Sequence, residues 1–238
     1  MASDVDRLVE WMRQQVAEAG RTGAVVGLSG GIDSATVAAL AKRAFGDEAH
    51  GVIMPCDSDP QDAEDARLLA QTIDLTYRTV DLAPALATLR EQLELPPNAP
   101  RLAIANIKPR LRMIALYAEA ALHNALVLGT GNRSELEIGY FTKYGDGGVD
   151  LLPIGGFLKH EVRQLARDLG VPQRIIDRPP SAGLWEGQTD ETEMGMTYQE
   201  LDTYLASGEG SPVIAGLVET MRQASRHKRR LPPIGPRS

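Results

Sequence analysis

Gly27-Leu28-Ser29-Gly30-Gly31-Ile32-Asp33-Ser34 lies between the short apolar run Ala24-Val25-Val26 and the helix-forming run Ala35-Thr36-Val37-Ala38-Ala39-Leu40-Ala41-Lys42. That order implies a strand, a tight glycine turn and a helix start. Glycines let the backbone turn sharply and come close to a ligand, while Ser29, Ser34 and the unpaired amides of a helix start offer hydrogen bonds to anionic oxygens. The segment reads as a phosphate cradle. It is not the kinase-type loop, which requires Gly-Lys-Ser/Thr, because Asp33 stands where a lysine would help to hold phosphates. An aspartate beside phosphates repels them unless a metal ion intervenes, so Asp33 points to Mg²⁺ bridging a carboxylate and a polyphosphate. A glycine-rich turn that only packs would need neither the two serines nor the aspartate.

Working outward, Val5, Leu8, Val9, Met12 and Val16 fall at helical spacing behind a cap at Ser3 or Asp4, so an amphipathic helix precedes the first strand. Ala49 to Met54 reads as a second strand ending at Pro55, and Tyr77 to Asp81 as a third. Between them, the acidic residues Asp57, Asp59, Asp62, Glu64 and Asp65 fit no compact metal loop and read as a solvated helix start, where negative charge is favoured. Pro96 to Pro100 is a break, and 82–105 reads as the least rigid internal connection. Lys108 to His123 reads as a helix with Pro109 in its first turn, followed by the strand Ala125-Leu126-Val127-Leu128. Strands alternating with helices call for right-handed crossovers, hence an α/β fold: a doubly wound parallel sheet with flanking helices, Rossmann-like, binding ligands at the carboxyl ends of its strands. The expected organisation is a single domain over 1–238 with a basic tail at 226–238.

With 238 residues the chain can bury a sizeable core, and 43% hydrophobic with 24% charged content is ordinary for a globular protein. A net charge of −7 argues against a general nucleic-acid surface. Cys56 is the single cysteine and cannot form an intrachain disulfide or a cysteine metal cluster. Nothing resembles a signal peptide or a membrane span, so a cytoplasmic protein without a membrane partner is expected.

A second concentration of chemistry follows the strand at 125–128. Gly129-Thr130-Gly131-Asn132-Arg133-Ser134-Glu135 should place Thr130 and Glu135 on the same sheet edge as Ser29 to Ser34, so that two loops face one ligand. From Gly139 to Asp150, polar, aromatic and glycine residues are denser than packing requires, which reads as a binding loop. Gly183, Gly187, Gly195 and an exposed Trp185 suggest a segment at 181–195 that orders over bound nucleotide, with a packed aromatic as the plainer reading of Trp185. Further helices are expected at Thr197 to Leu205 and around Val213, Leu217, Val218 and Met221.

Ser29 to Ser34 resembles the loop of the ATP pyrophosphatases. Over roughly 24–230 the chain resembles one family among them, the ammonia-dependent NAD⁺ synthetases, through that loop, Asn106 to Met113, Gly129 to Glu135, the run Tyr140-Phe141-Thr142-Lys143-Tyr144-Gly145-Asp146-Gly147-Gly148-Val149-Asp150, Pro180 to Trp185, Gly187 to Glu191 and His227 to Arg229. The resemblance implies amidation of deamido-NAD⁺ to NAD⁺ through an adenylate, with ATP as co-substrate and release of AMP and pyrophosphate. It implies that Gly27, Leu28, Ser29, Gly30, Gly31, Ile32, Asp33 and Ser34 hold ATP phosphates and that Asp33 and Glu135 bind Mg²⁺. It further implies that Thr130, Lys159 and Ser181 contact ATP, with Asp33, Thr130 and Lys159 carrying the chemistry, and that Arg110, Lys143, Asp150, His227 and Lys228 contact the dinucleotide. The family often has threonine at the Ser181 position, which keeps the hydroxyl, and many relatives carry a polar residue within the Gly155 to Leu158 stretch ahead of Lys159. A homodimer is implied too, and Ile114, Leu116, Tyr117, Ala118 and Ala121 are apolar enough to serve as its face. Another ATP pyrophosphatase, such as a tRNA-modifying enzyme, and an ATP-binding sensor are the competing readings. The single cysteine and acidic balance tell against the first, and retention of both Asp33 and Glu135 against the second. A separate glutaminase chain stays open as the source of ammonia.

Overall fold

The computed structural model describes residues 2–96, 98–185 and 187–237. Ser3 accepts the Asp6 amide and so caps α1 (Asp4–Glu18), which buries Val5, Val9, Met12 and Val16 as the spacing predicts. The chain continues through β1 (Gly23–Leu28), α2 (Ile32–Phe45), β2 (Ala49–Ile53), α3 (Pro60–Thr72) and β3 (Thr76–Thr79). After these come α4 (Ala83–Gln92), α5 (Arg101–Ala105), α6 (Ile107–Leu122), β4 (Ala125–Leu128) and α7 (Arg133–Ile138). The last elements are α8 (Lys159–Asp168), α9 (Gln173–Ile176), α10 (Asp190–Met194), α11 (Tyr198–Ser207) and α12 (Pro212–Ala224).

The strands form one parallel sheet in the order β3-β2-β1-β4, and a single parallel bridge from Leu128 to Leu151 extends its β4 edge. Side chains alternate across a strand, so β1 feeds two cores at once. Ala24, Val26 and Leu28 face a cluster shared with α1, α2, α3, α8 and α9, while Val25 faces another with Leu86, Ile107 and Ala120 of α4 and α6. Helices cover both faces, as a parallel sheet requires. A third cluster, built on Ile138, Tyr198, Leu201, Ile214 and Val218, joins α7, α11 and α12.

From β1 the chain steps outward through β2 to β3, then crosses back to place β4 on the other side of β1. That reversal opens a crevice beyond the carboxyl ends of β1 and β4, where open α/β sheets bind ligands. The loops 29–34 and 129–135 both leave the sheet there.

The acidic start of α3 departs from the solvated reading. Asp59 is the cap, accepting the Gln61 amide, but Asp65 is buried and paired with Arg174 at 2.9 Å and Arg178 at 3.1 Å. The spacing near a helix start does not reveal that arginines from α9 and the chain just after it come back onto this face. The 82–105 connection holds α4 and α5 on either side of the proline break, and Leu86 is the buried residue of α4. Trp185 is half-buried rather than exposed, with the Arg101 guanidinium 5.2 Å from its ring centre.

Candidate active site

The phosphate loop is held by its own serines. Ser34 Oγ donates to the Gly31 carbonyl at 2.9 Å, accepts the Ser29 amide at 3.2 Å and lies 3.0 Å from Ser29 Oγ. Gly30 takes φ +79°, and a Cβ there would sit 2.4 Å from the Asp62 carbonyl oxygen, so the loop closes on α3 only because the residue is glycine. Gly31 is the N-cap of α2 and supplies no side-chain acceptor. The first amides of a 14-residue helix therefore face the crevice, a position that favours an anion.

In the first turn of α2, Asp33 meets Lys159 from the start of α8. The Lys159 ammonium donates to Asp33 Oδ2, stands 3.5 Å from Glu135 Oε1 and lies 4.8 Å from the Tyr198 ring centre. Its side chain is 1% exposed. Asn132 fixes the other oxygen by donating to Asp33 Oδ1 at 3.0 Å, and its carbonyl oxygen accepts the Glu135 amide at 3.0 Å while Glu135 Oε2 accepts the Asn132 amide at 3.1 Å. This reciprocal cap starts α7 and aims the second Glu135 oxygen at Lys159. The Tyr198 hydroxyl lies 3.2 Å from Glu135 Oε1 and 3.0 Å from Asp190 Oδ2, with one proton to share between them.

Charge is out of balance here. Burial, and then the charge of Asp33, push the Glu135 carboxyl up to about 8 even though Lys159 opposes the shift. Burial likewise raises Asp190 against the pull of Lys159. For Lys159 burial acts downward, but Asp33 and Glu135 outweigh it and hold the ammonium above its ordinary value. One lysine does not neutralise this set of carboxylates. The donors are hard oxygens, which suits Mg²⁺, and no group of three or more His, Cys, Asp or Glu among the described residues is arranged to hold a metal. Two carboxylates with the remaining positions left to water and phosphate is how Mg²⁺ is usually bound, so Asp33 and Glu135 fit the ion.

Thr130 is half-buried in the turn after β4. Ser181 is exposed at the edge of the crevice, its Oγ accepting the Gly183 amide at 3.1 Å. That segment is moored by Arg178, which donates to Asp62 at 2.5 Å and Asp65 at 3.1 Å, beside the contact of Asp62 with the phosphate loop.

The expected dinucleotide residues assemble separately from this cluster. Arg110 donates to the Lys143 carbonyl at 3.4 Å, Lys143 Nζ donates to the His227 carbonyl at 2.8 Å, and Lys228 Nζ donates to the carbonyls of Gly139 at 2.8 Å and Phe141 at 2.6 Å. The structure brings Arg110, Lys143, His227 and Lys228 together around the loop that follows α7. Asp150 stands apart, accepting the Val127 amide at 2.8 Å and the Tyr117 hydroxyl at 2.9 Å. Sequence reasoning had not singled out Asn132, Asp190, Tyr198 or Arg178. The Asn-x-x-Glu spacing of a capping box gives away Asn132, whereas Tyr198 and Arg178 reach the crevice by tertiary packing that leaves no local signal.

Residues 4–232 match the sequence profile of the NAD synthase family. The NH₃-dependent NAD⁺ synthetase of Carboxydothermus hydrogenoformans is 55% identical over 96% of this chain and 95% of its own. Among solved structures, the NMN synthetase of Francisella tularensis superposes with a TM-score of 0.92 at 38% identity, covering 98% of this chain and 97% of that one. The NH₃-dependent NAD synthetase of Campylobacter jejuni gives 0.80 at 30% identity, with the same coverage of 98% and 97%. With the family profile spanning nearly all of it and a relative sharing more than half of its residues, this chain belongs to the NAD synthase family.

Proposed function

We propose that the protein is a ligase that converts deamido-NAD⁺ to NAD⁺, with ATP and ammonia as co-substrates. The observation that carries this reading is the Asp33, Lys159 and Glu135 cluster set directly beside the open N-terminus of α2. A nicotinate carboxylate oxygen attacks the α-phosphorus of ATP, and pyrophosphate leaves with the electron pair of the broken P–O bond. Ammonia then attacks the acyl carbon and loses a proton as AMP departs, leaving the carboxamide. Such transfers need positioning and charge neutralisation more than a protein nucleophile. Gly27 to Ser34 and the first amides of α2 hold the phosphates, Lys159 places a fixed positive charge against them, and Thr130 and Ser181 contact the nucleotide from the facing loops. Asp33 and Glu135 hold Mg²⁺, which when bound neutralises phosphate charge. Arg110, Lys143, His227 and Lys228 form the side that receives the dinucleotide, and Asp150, set apart from them beside β4, is a further contact. We read the enzyme as a cytoplasmic homodimer; no helix among the described residues is long and apolar enough to cross a membrane.

A second reading, amidation of the mononucleotide, is favoured by the overlap with the Francisella NMN synthetase. One experiment separates them. The pure protein is incubated with ATP, MgCl₂, ammonium and either deamido-NAD⁺ or nicotinate mononucleotide. Production of NAD⁺, AMP and pyrophosphate, with a kcat/KM for the dinucleotide above that for the mononucleotide, is expected. The reverse preference selects the second reading, and ADP in place of AMP excludes both.

A further inference from the structure

Helix α8 begins at Lys159, and its first amides have no partner within the helix. They take acceptors from two other helices. Ser134 Oγ, on α7, accepts the Lys159 amide at 3.0 Å and donates to Asp202 Oδ1 at 2.5 Å. Asp202, on α11, accepts the His160 amide on Oδ2 at 2.9 Å, and the same oxygen lies 2.9 Å from His160 Nδ1. Ser134 is fully buried and the Asp202 side chain is 5% exposed. A buried carboxylate is retained only where several donors meet it, and here its charge also suits the positive end of α8.

The two helices that supply this clamp also shape the cluster at the other end of the lysine side chain. Ser134 immediately precedes Glu135, and Tyr198, one helical turn before Asp202, puts its ring against the Lys159 ammonium. A lysine chain is long and rotatable, so an ammonium held at one point needs its root fixed as well as its tip. We propose that Ser134 and Asp202 are positioning residues that act through the α8 backbone to hold Lys159 between Asp33 and Glu135. This rests on the reading of Lys159 as the cation at the reacting phosphates.

The test is a double-mutant cycle read as kcat and KM per folded enzyme, using Lys159→Met, Asp202→Asn and Ser134→Ala, alone and combined. Asp202→Asn keeps the shape and one acceptor but places an amide group where the Ser134 hydroxyl must donate. Each clamp variant should remain folded and lower kcat about ten- to a hundredfold with little change in KM for ATP, the scale expected of a small misplacement of a reacting group. On the Lys159→Met background the same substitutions should add less than about twofold, because the group they position is gone. Equal losses on both backgrounds, no loss on either, or collapse of the fold in both clamp variants would overturn the proposal by showing a purely structural role. Near-normal turnover of Lys159→Met alone would overturn the reading of the lysine itself, and the single variant reports that independently of the clamp.

Discussion

At Glu135 the protein keeps a carboxylate where both burial and the neighbouring Asp33 oppose its charge, with the result that its pKa is pushed up to about 8. Such local conflict is retained where function requires it and is relieved by neutralising substitutions. Glu135→Gln can still accept the Asn132 amide, so the cap of α7 survives. The variant is therefore expected to melt no lower than the parent in metal-free buffer, while pyrophosphate release falls on the order of a hundredfold, as does that of Asp33→Asn. Unchanged turnover at limiting Mg²⁺ in either variant would show that the carboxylates are structural. Asp33 and Glu135 were legible because each sits in a short segment whose geometry is local, a glycine turn and a helix cap. Asp190 and Tyr198 were not legible as members of the cluster. Their place in it depends on how α10 and α11 pack on α7, and nothing in their own neighbourhood encodes that.

The elements themselves were largely readable, because β1, β2 and β4 are short, mainly apolar and buried runs and most flanking helices carry a buried stripe, whereas the edge strand β3, Thr-Tyr-Arg-Thr, is mostly exposed. Where reading failed, the physical cause was a weak or misleading stripe. Helix α4 buries Leu86 alone, so its residues look like a connection. Helix α3 opens with acids that resemble a solvated end, yet Asp65 is the point where α3, α9 and the chain ahead of Ser181 are tied together by Arg174 and Arg178. Removing that carboxylate leaves both guanidinium groups without their shared partner. Because both reach solvent, the penalty should fall below that of a fully buried pair, and Asp65→Ala is expected to lose about 2 kcal/mol in urea unfolding. The same variant should raise KM for ATP by about threefold or more through loosening of the Ser181 segment, following the scale of small misplacements. An unfolding free energy within error of the parent would show that the network is ornamental.

For the molecule as a whole, two surfaces stand out, an apolar stripe on α6 and a basic run near the C-terminus. On α6, Ile114, Tyr117, Ala118, Ala121 and Leu122 are exposed at helical spacing, with Ile114 at 60% and Leu122 at 74%. Leu116, expected on the same face, instead packs inward against the core between α6 and the sheet. A self-complementary stripe closes as a twofold pair. Light scattering should therefore find a particle about twice the 25.7 kDa of the chain, and Ile114→Glu should halve it; a parent protein that stays at the mass of one chain would exclude the dimer. The second surface is the basic run from Arg226 to Arg230, part of the tail expected at 226–238, in which the family resemblance implies dinucleotide contacts by His227 and Lys228. In the fold, residues Arg226 to Arg229 form a short turn against the C-terminal end of α7. Arg229 donates to the Leu136 carbonyl at 3.1 Å, Lys228 to those of Gly139 and Phe141, and Ser225 to that of Ile138 at 3.0 Å. Gly139 permits this approach: its φ is +70°, and a Cβ would come within 2.1 Å of the Ser225 side chain. Cations here complete the unpaired carbonyls and the negative end of α7, so much of the tail's charge is used on the protein before any substrate arrives. Its effect on the dinucleotide then runs through the loop it braces, because Lys143 is anchored on the His227 carbonyl and Arg110 on the Lys143 carbonyl. Deleting residues 226–238 should accordingly raise KM for deamido-NAD⁺ about tenfold and KM for ATP far less, since the phosphate loop meets α7 at its opposite, N-terminal end, through Asn132. Lys228→Met should reproduce most of that effect. An equal rise for both substrates would place the tail's role in general stability, and no rise for either would mean that the loop from 139 to 150 holds its shape unaided.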